Sequence, residues 1–176
     1  TVEFKQKTGE NKRTLTFGED GICESCKYAE QKKSINWDER HKELKELCNR
    51  FRRSDGRYDV IVPGSGGKDS VQAAHILKYK YDMNPILITW PPALYTDIGR
   101  RNFDAWLNSG FANYTYNQNK KLHRFLTKNA FLNLGHPFQP FILGQKNLAP
   151  RLSILLDIPL VIFGENEAEY GNAIED

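Results

Sequence analysis

The sequence predicts an α/β fold, a parallel sheet with helices on both faces, and three observations carry that expectation. Short apolar runs at 60–62, 85–90, 112–116 and 159–163 alternate with helical patterns of three- and four-residue period. The first run ends in a glycine- and serine-rich loop that opens a helix, the arrangement that presents backbone N–H groups to an anion. Strand, helix and strand in that order form a right-handed parallel unit. At 176 residues the chain suits one domain with an appendage. The expected division is a small N-terminal segment, 1–56, with a Cys-x-x-Cys and an amphipathic helix, and a nucleotide-binding domain, 57–176.

Composition bounds the rest. With 39% hydrophobic and 27% charged residues the chain reads as globular, and no apolar run reaches the ~18 residues of a membrane span. No signal peptide is visible, so a cytoplasmic location is expected. A net charge of +3, with pI near 8.7, lacks the clustered basic face of a nucleic-acid binder, so no nucleic-acid partner is expected. Three cysteines, two of them in Cys23-Glu24-Ser25-Cys26, fit a metal or redox role better than a disulfide framework. Cys23 and Cys26 are half of a tetrahedral zinc site, or a reduced thiol pair.

In chain order, residues 1–20 are polar, with Leu15 and Phe17 in a short alternating run. From Trp37 to Phe51 the apolar spacing predicts a helix, with Asn36 and Glu39 as a capping box. Arg50, Arg52, Arg53 and Arg57 around Gly56 read as a solvated linker. The loop that follows strand 60–62 contains Gly64, Gly66 and Gly67, which admit positive φ and close ligand approach, with Lys68 as a point charge and Ser65 and Ser70 as hydroxyl donors. It is not a Walker A loop, since Asp69 follows Lys68 and Val62 stands at the first glycine position. Its glycine spacing also misses the dinucleotide fingerprint.

After a helix with Val71, Ala74, Ile76 and Leu77, the second strand places Thr89 and Trp90 at its carboxyl end, where open α/β sheets bind ligands. Trp90 is either a pocket wall or core. Asp97 is expected to cap a helix from Ile98 to about Ser109, stopped by Gly110. Arg100 and Arg101 near its start oppose the dipole, which suits either an anionic partner or plain surface. A third strand and a helix with Leu122, Phe125, Leu126 and Leu132 follow, stopped by Gly135. The stretch HPFQPFILGQ, ending at Gln145, reads as a loop at the functional edge before a helix through Leu148, Leu152, Leu155 and Leu156. Beyond the fourth strand, Gly164-Glu165-Asn166-Glu167-Ala168-Glu169-Tyr170-Gly171 puts three carboxylates after a buried run, a candidate oxygen site for Mg²⁺ or an acidic surface loop.

Ser65-Gly66-Gly67-Lys68-Asp69-Ser70 resembles the PP-loop of the ATP pyrophosphatases. Together with Cys23-x-x-Cys26, Ile98-Gly99-Arg100-Arg101-Asn102, His136-Pro137-Phe138-Gln139-Pro140-Phe141 and GENEAEYG from Gly164, it resembles the N-acetyl sugar amidotransferases of that superfamily. The resemblance implies ATP-dependent conversion of a sugar acetamido group to an acetamidino group, with ammonia from a separate glutaminase. It implies catalytic roles for Lys68, Asp69 and Ser70. It implies ATP contacts at Pro63, Gly64, Ser65, Gly66, Gly67, Lys68, Asp69, Ser70, Thr89, Trp90, Gly164, Glu165 and Asn166. Sugar contacts are implied at Arg100, Arg101, Gln145, Glu167, Glu169 and Tyr170, with Mg²⁺ as cofactor and zinc at Cys23 and Cys26. Two features depart from the family pattern: residues 1–20 lack a second cysteine pair, and the chain stops at Asp176, where members continue, so a fragment is expected. A PP-loop enzyme that modifies tRNA, and a nucleotide-binding module that docks a glutaminase, are the competing readings.

Overall fold

The computed structural model describes residues 17–165. Its contacts define two compact units, and the division falls inside a helix, after Glu46. In the first unit, Phe17 bridges Cys23 across a turn at Gly21, φ +72°. Helix α1, Glu24–Lys33, follows. Helix α2, Trp37–Phe51, starts as the sequence predicts: the Asn36 side chain accepts from the Glu39 N–H at 3.2 Å. The run at Leu15 lies outside the described residues.

The second unit, Leu47–Glu165, is the expected parallel sheet with helices on both faces. Its elements are β1 Val60–Pro63, α3 Lys68–Tyr79, β2 Pro85–Thr89, α4 Asp97–Leu107, β3 Ala112–Thr115, α5 Lys120–Leu134, α6 Gln139–Leu156 and β4 Leu160–Val161. The strand order is β3-β2-β1-β4, with every neighbour parallel. The register pairs Val62 with Leu87 and Ile61 with Ile86, so side chains of like parity share a face. Ile61, Ile86 and Ile88 form one face and pack on Leu148, Ala149 and Leu152 of α6. Val62, Leu87 and Thr89 belong to the other, where the Trp106 indole of α4 bonds the Thr89 hydroxyl. All five residues of β2 are buried, as a strand covered on both sides requires.

Three details differ from the sequence reading. Of the arginines before β1, Arg50 and Arg57 are exposed, as a solvated linker requires, but Arg52 and Arg53 are anchored. Arg52 donates to the carbonyls of Asp82, at 2.9 Å, and Tyr81, while Arg53 pairs with Asp157 at 2.9 Å. Buried Asp59 then accepts from the backbone N–H groups of Arg53, 3.3 Å, and Asn84, 2.8 Å. These contacts, with fully buried Cys48, join residues 47–56 to the second unit, Leu47–Glu165.

The cap of α4 is Thr96, whose hydroxyl accepts from Gly99 N–H at 3.0 Å, one residue before the expected Asp97. Of the stretch expected as a loop, His136, Pro137 and Phe138 form a turn, but the chain is helical from Gln139, because Pro140 sits in the first turn of α6, where a missing N–H costs nothing. The apolar stripe of α5 is exposed at Leu122, Phe125, Leu126 and Leu132.

Candidate active site

Within the second unit the chain runs β1 to β2 to β3 in one direction and then crosses to place β4 on the other side of β1. That reversal makes the carboxyl ends of β1 and β4 a topological switch point, the usual ligand crevice of an open parallel sheet. The glycine-rich loop leaves β1 there, and Gly164 follows β4.

Each glycine of the loop has its own reason. Gly66 has φ +92°, and a Cβ on it would strike the Asn102 carbonyl of α4. Gly64 donates its N–H to Ile88 O at 2.9 Å, and a Cβ would lie 2.6 Å from Ser70 Oγ and 2.9 Å from the Trp106 ring. Gly67 has open space and extended dihedrals, and serves as the N-cap of α3. A Cβ on Gly164 would lie 2.6 Å from both the Asp69 carbonyl carbon and Ser70 N, so only glycine lets the end of β4 lie against the first turn of α3.

Helix α3 begins at Lys68, two residues earlier than the expected start near Ser70. Its first intrahelical bond runs from Val71 N–H to Gly67 O, 3.2 Å, so the N–H groups of Asp69 and Ser70 have no acceptor within the helix. They sit at the positive end of the helix dipole. Lys68 is exposed, with Nζ 2.6 Å from Asp69 Oδ1. Any anion arriving at this helix end would compete with Asp69 for the ammonium. Ser65 is exposed beside them.

Ser70 and Thr89 act on the loop from behind. Ser70 is buried, and its hydroxyl donates to Gly67 O at 3.1 Å rather than towards a ligand. Thr89 is 1% exposed; it donates to Gly64 O at 2.6 Å and accepts from Trp106 Nε1 at 3.2 Å. This relay from α4 through β2 holds the first residue of the loop. Trp90, on the opposite parity, stacks on Tyr116 at 5.1 Å and is abutted by Gly144 of α6. Its Nε1 is buried without a hydrogen-bond partner among the described residues.

Arg100 pairs with Asp104, Nη2 to Oδ1 2.8 Å, and lies over the rings of Tyr95 and Phe103. Asp104 holds its guanidinium above the ordinary arginine pKa. Arg101 is exposed on α4, Gln145 is exposed within α6, and Glu165 is exposed after Gly164. Asn166, Glu167, Glu169 and Tyr170 lie outside the described residues, so no geometry attaches to them.

Cys23 Sγ lies 3.4 Å from Cys26 Sγ in the first unit, and the neighbouring thiol pushes the Cys26 pKa up. No group of three or more His, Cys, Asp or Glu gathers for a metal among the described residues. Two thiols alone do not complete a tetrahedral zinc site, and no step is assigned to zinc.

A cavity of about 480 Å³ opens at the carboxyl ends of β2 and β3, between residues 91–95, Arg100 and Phe103 of α4, Thr115, Asn117, Gln118 and the first turns of α5. Tyr95, Lys120, His123 and Arg124, which the sequence reading did not single out, line it. One signal for them was present: α5 starts Lys120-Lys121 and carries no acid in its first turn, against the dipole preference.

No family model matches the chain. An uncharacterized protein of Methanocaldococcus jannaschii is 32% identical over 81 residues, 46% of this chain. The matched region spans 29% of that protein's length. Among the described residues, no helix is long and apolar enough to cross a membrane.

Proposed function

We propose that the chain is the ATP-binding part of a cytoplasmic N-acetyl sugar amidotransferase that converts an acetamido group to an acetamidino group. One observation carries the reading: Ser65-Gly66-Gly67-Lys68-Asp69-Ser70 lies at the switch point, with the N-terminus of α3 and the exposed Lys68 ammonium at its mouth. In this reading the acetamido oxygen attacks the α-phosphorus of ATP, the bond from that phosphorus to the bridging oxygen breaks, and pyrophosphate leaves. Ammonia, delivered by a partner glutaminase, adds to the activated carbon and AMP departs with the former amide oxygen.

The residues fit those demands. With pyrophosphate in the loop, the loop N–H groups and Lys68 would stabilise the charge that accumulates on it, the kind of fixed electrostatic aid that often dominates catalysis. Mg²⁺ needs only one or two carboxylates beside phosphate oxygens. Asp69 and Glu165 are the described acids that would hold it, and bound there it would neutralise phosphate charge. Three cysteines, of which Cys48 is buried and Cys23 and Cys26 form a pair, offer no glutaminase nucleophile in place, which favours ammonia from a partner.

Pyrophosphate release tests the reading, measured with ATP, Mg²⁺, ammonium and a panel of N-acetylated sugars on the 176-residue chain, or on a longer natural chain if it proves to be a piece. The expected result is sugar-dependent AMP and pyrophosphate that fall at least ~100-fold in Lys68→Ala. ATP binding without sugar-dependent turnover on the complete protein would overturn it and favour the docking module.

A further inference from the structure

Charge is unevenly spread along this chain. Between Asp104 and Asp157 there is no aspartate or glutamate, while Lys120, Lys121, Arg124, Lys128, Lys146 and Arg151 fall in that interval. The interval holds β3, α5 and α6. In a chain with 22 acids, so long an acid-free basic stretch points to an anionic partner.

Helix α5 carries the densest part of it. Lys120, Lys121, Arg124 and Lys128 are all exposed there, and no acid stands in its first turn. The helix turns His123, Thr127 and Ala130 towards the protein, where they are half-buried or buried. Away from that side, Leu122, Phe125, Leu126 and Leu132 recur at helical spacing, and all but Leu126 are more than half exposed. Lys121 stands one turn ahead of Phe125 and Lys128 one turn ahead of Leu132, so cations flank the apolar stripe. Single exposed apolar residues need no explanation, but a stripe of them does.

The charge decides what covers the stripe. A second copy of the chain, pairing α5 with α5, would set cations against cations with no acid to answer them. RNA would answer the charge but offers no partner to the aliphatic Leu122, Leu126 and Leu132, since it takes cations and aromatic rings. Protein interfaces are depleted in lysine, yet three of the four cations on α5 are lysines. An anionic bilayer answers both features, with a field of one sign at its headgroups and an apolar layer just beneath for leucine and phenylalanine.

We propose that α5 is an interfacial helix that docks the protein on an anionic phospholipid bilayer. It lies along the surface without spanning it: Phe125 and Leu132 enter the boundary between headgroups and acyl chains, and Lys121 and Lys128 reach lipid phosphates. The docking goes beyond the amidotransferase reading and does not rest on it.

Co-sedimentation with lipid vesicles tests this, without ATP or sugar, on the 176-residue chain and on a longer natural chain if it proves to be a piece. Vesicles of phosphatidylcholine alone are compared with vesicles of equal parts phosphatidylcholine and phosphatidylglycerol. Binding to the anionic vesicles is expected to be ~10-fold or more stronger and to weaken as salt rises. Phe125→Gln combined with Leu132→Gln should weaken it ~10-fold or more, and Lys121→Gln combined with Lys128→Gln by a similar factor. Glutamine sustains a helix and all four positions are exposed, so both variants keep the fold. Lys42→Gln combined with Lys45→Gln removes the same charge from exposed positions of α2 and should leave binding unchanged.

Equal binding to both kinds of vesicle, or to neither, would overturn the proposal and leave an acidic protein groove as the occupant. Binding that fails in the lysine variant but survives the loss of Phe125 and Leu132 would overturn it as well, because a purely electrostatic surface suits any polyanion. So would an equal loss in the α2 variant. A dimer in sedimentation equilibrium that dissociates in the Phe125→Gln, Leu132→Gln variant would assign the stripe to a second copy instead. Failure of a longer natural chain to bind would show the stripe covered within the protein itself, and would sink the idea.

Discussion

At the scale of single residues, Gly66 and Gly67 are adjacent glycines with different reasons to be glycine. Gly66 combines φ +92° with a backbone carbonyl where a Cβ would go. Gly67 has neither constraint. Gly66→Ala therefore must move the loop away from Asn102 as well as strain its own dihedrals, a cost of about 1–3 kcal/mol. Gly67→Ala loses only a modest N-cap preference, under about 1 kcal/mol. Chemical denaturation of the two variants checks the order; equal losses would show that the loop does not press on α4. The motif alone made both positions visible, but not the difference between them. That difference depends on α4, which is distant in sequence and meets the loop only in the folded chain.

At the scale of elements, two buried polar groups join segments that the sequence presents as separate. Asp59 ties the end of α2 to the segment ahead of β2, through the N–H groups of Arg53 and Asn84. Asp59→Ala leaves both donors unpaired in a buried place, and a loss of about 2–4 kcal/mol is expected in urea unfolding. A loss below ~1 kcal/mol would mean that water replaces the carboxylate. Thr89→Val removes the hydroxyl between Trp106 and Gly64 while conserving shape, and should cost about 1–3 kcal/mol. If the relay holds the loop, Trp106→Phe made in the Thr89→Val background adds less than it does alone. Periodicity located all four strands and the helices from Trp37 onward, because burial imposes it directly. It could not reveal that Arg52 and Arg53 are anchored, since an arginine reaching a carbonyl leaves no pattern. The prolines of HPFQPF read as loop for a similar reason: Pro140 sits in the first turn of α6, a place where proline is at home.

At the scale of the whole molecule, the strand, loop and helix of the motif were legible in the sequence, whereas the switch point was not, because it depends on β4 crossing to the far side of β1, and neither was the cationic cavity, whose lining comes from separated stretches. The second unit also carries a titration that composition does not disclose. Cys48 is fully buried and Tyr81 is 5% exposed, and burial holds both acids above their ordinary values of 9.0 and 10.0, with Cys48 adding to the shift at Tyr81. The unfolded chain releases these protons near the ordinary values, while the folded chain keeps them. Above pH 9.0 the unfolded state thus binds fewer protons, so stability is fully present below that pH and declines as pH rises. Each group can contribute a slope of up to about 1.4 kcal/mol per pH unit until its folded form also ionises. Urea unfolding between neutral pH and about pH 10.5 should show this decline. Cys48→Ala is expected to lower stability at every pH by leaving a small cavity, yet to flatten the curve just above pH 9.0, and Tyr81→Phe to flatten it further up. Parent and variants with parallel curves would show that neither buried acid drives the alkaline loss, and would shift the explanation to the lysines and arginines of the surface.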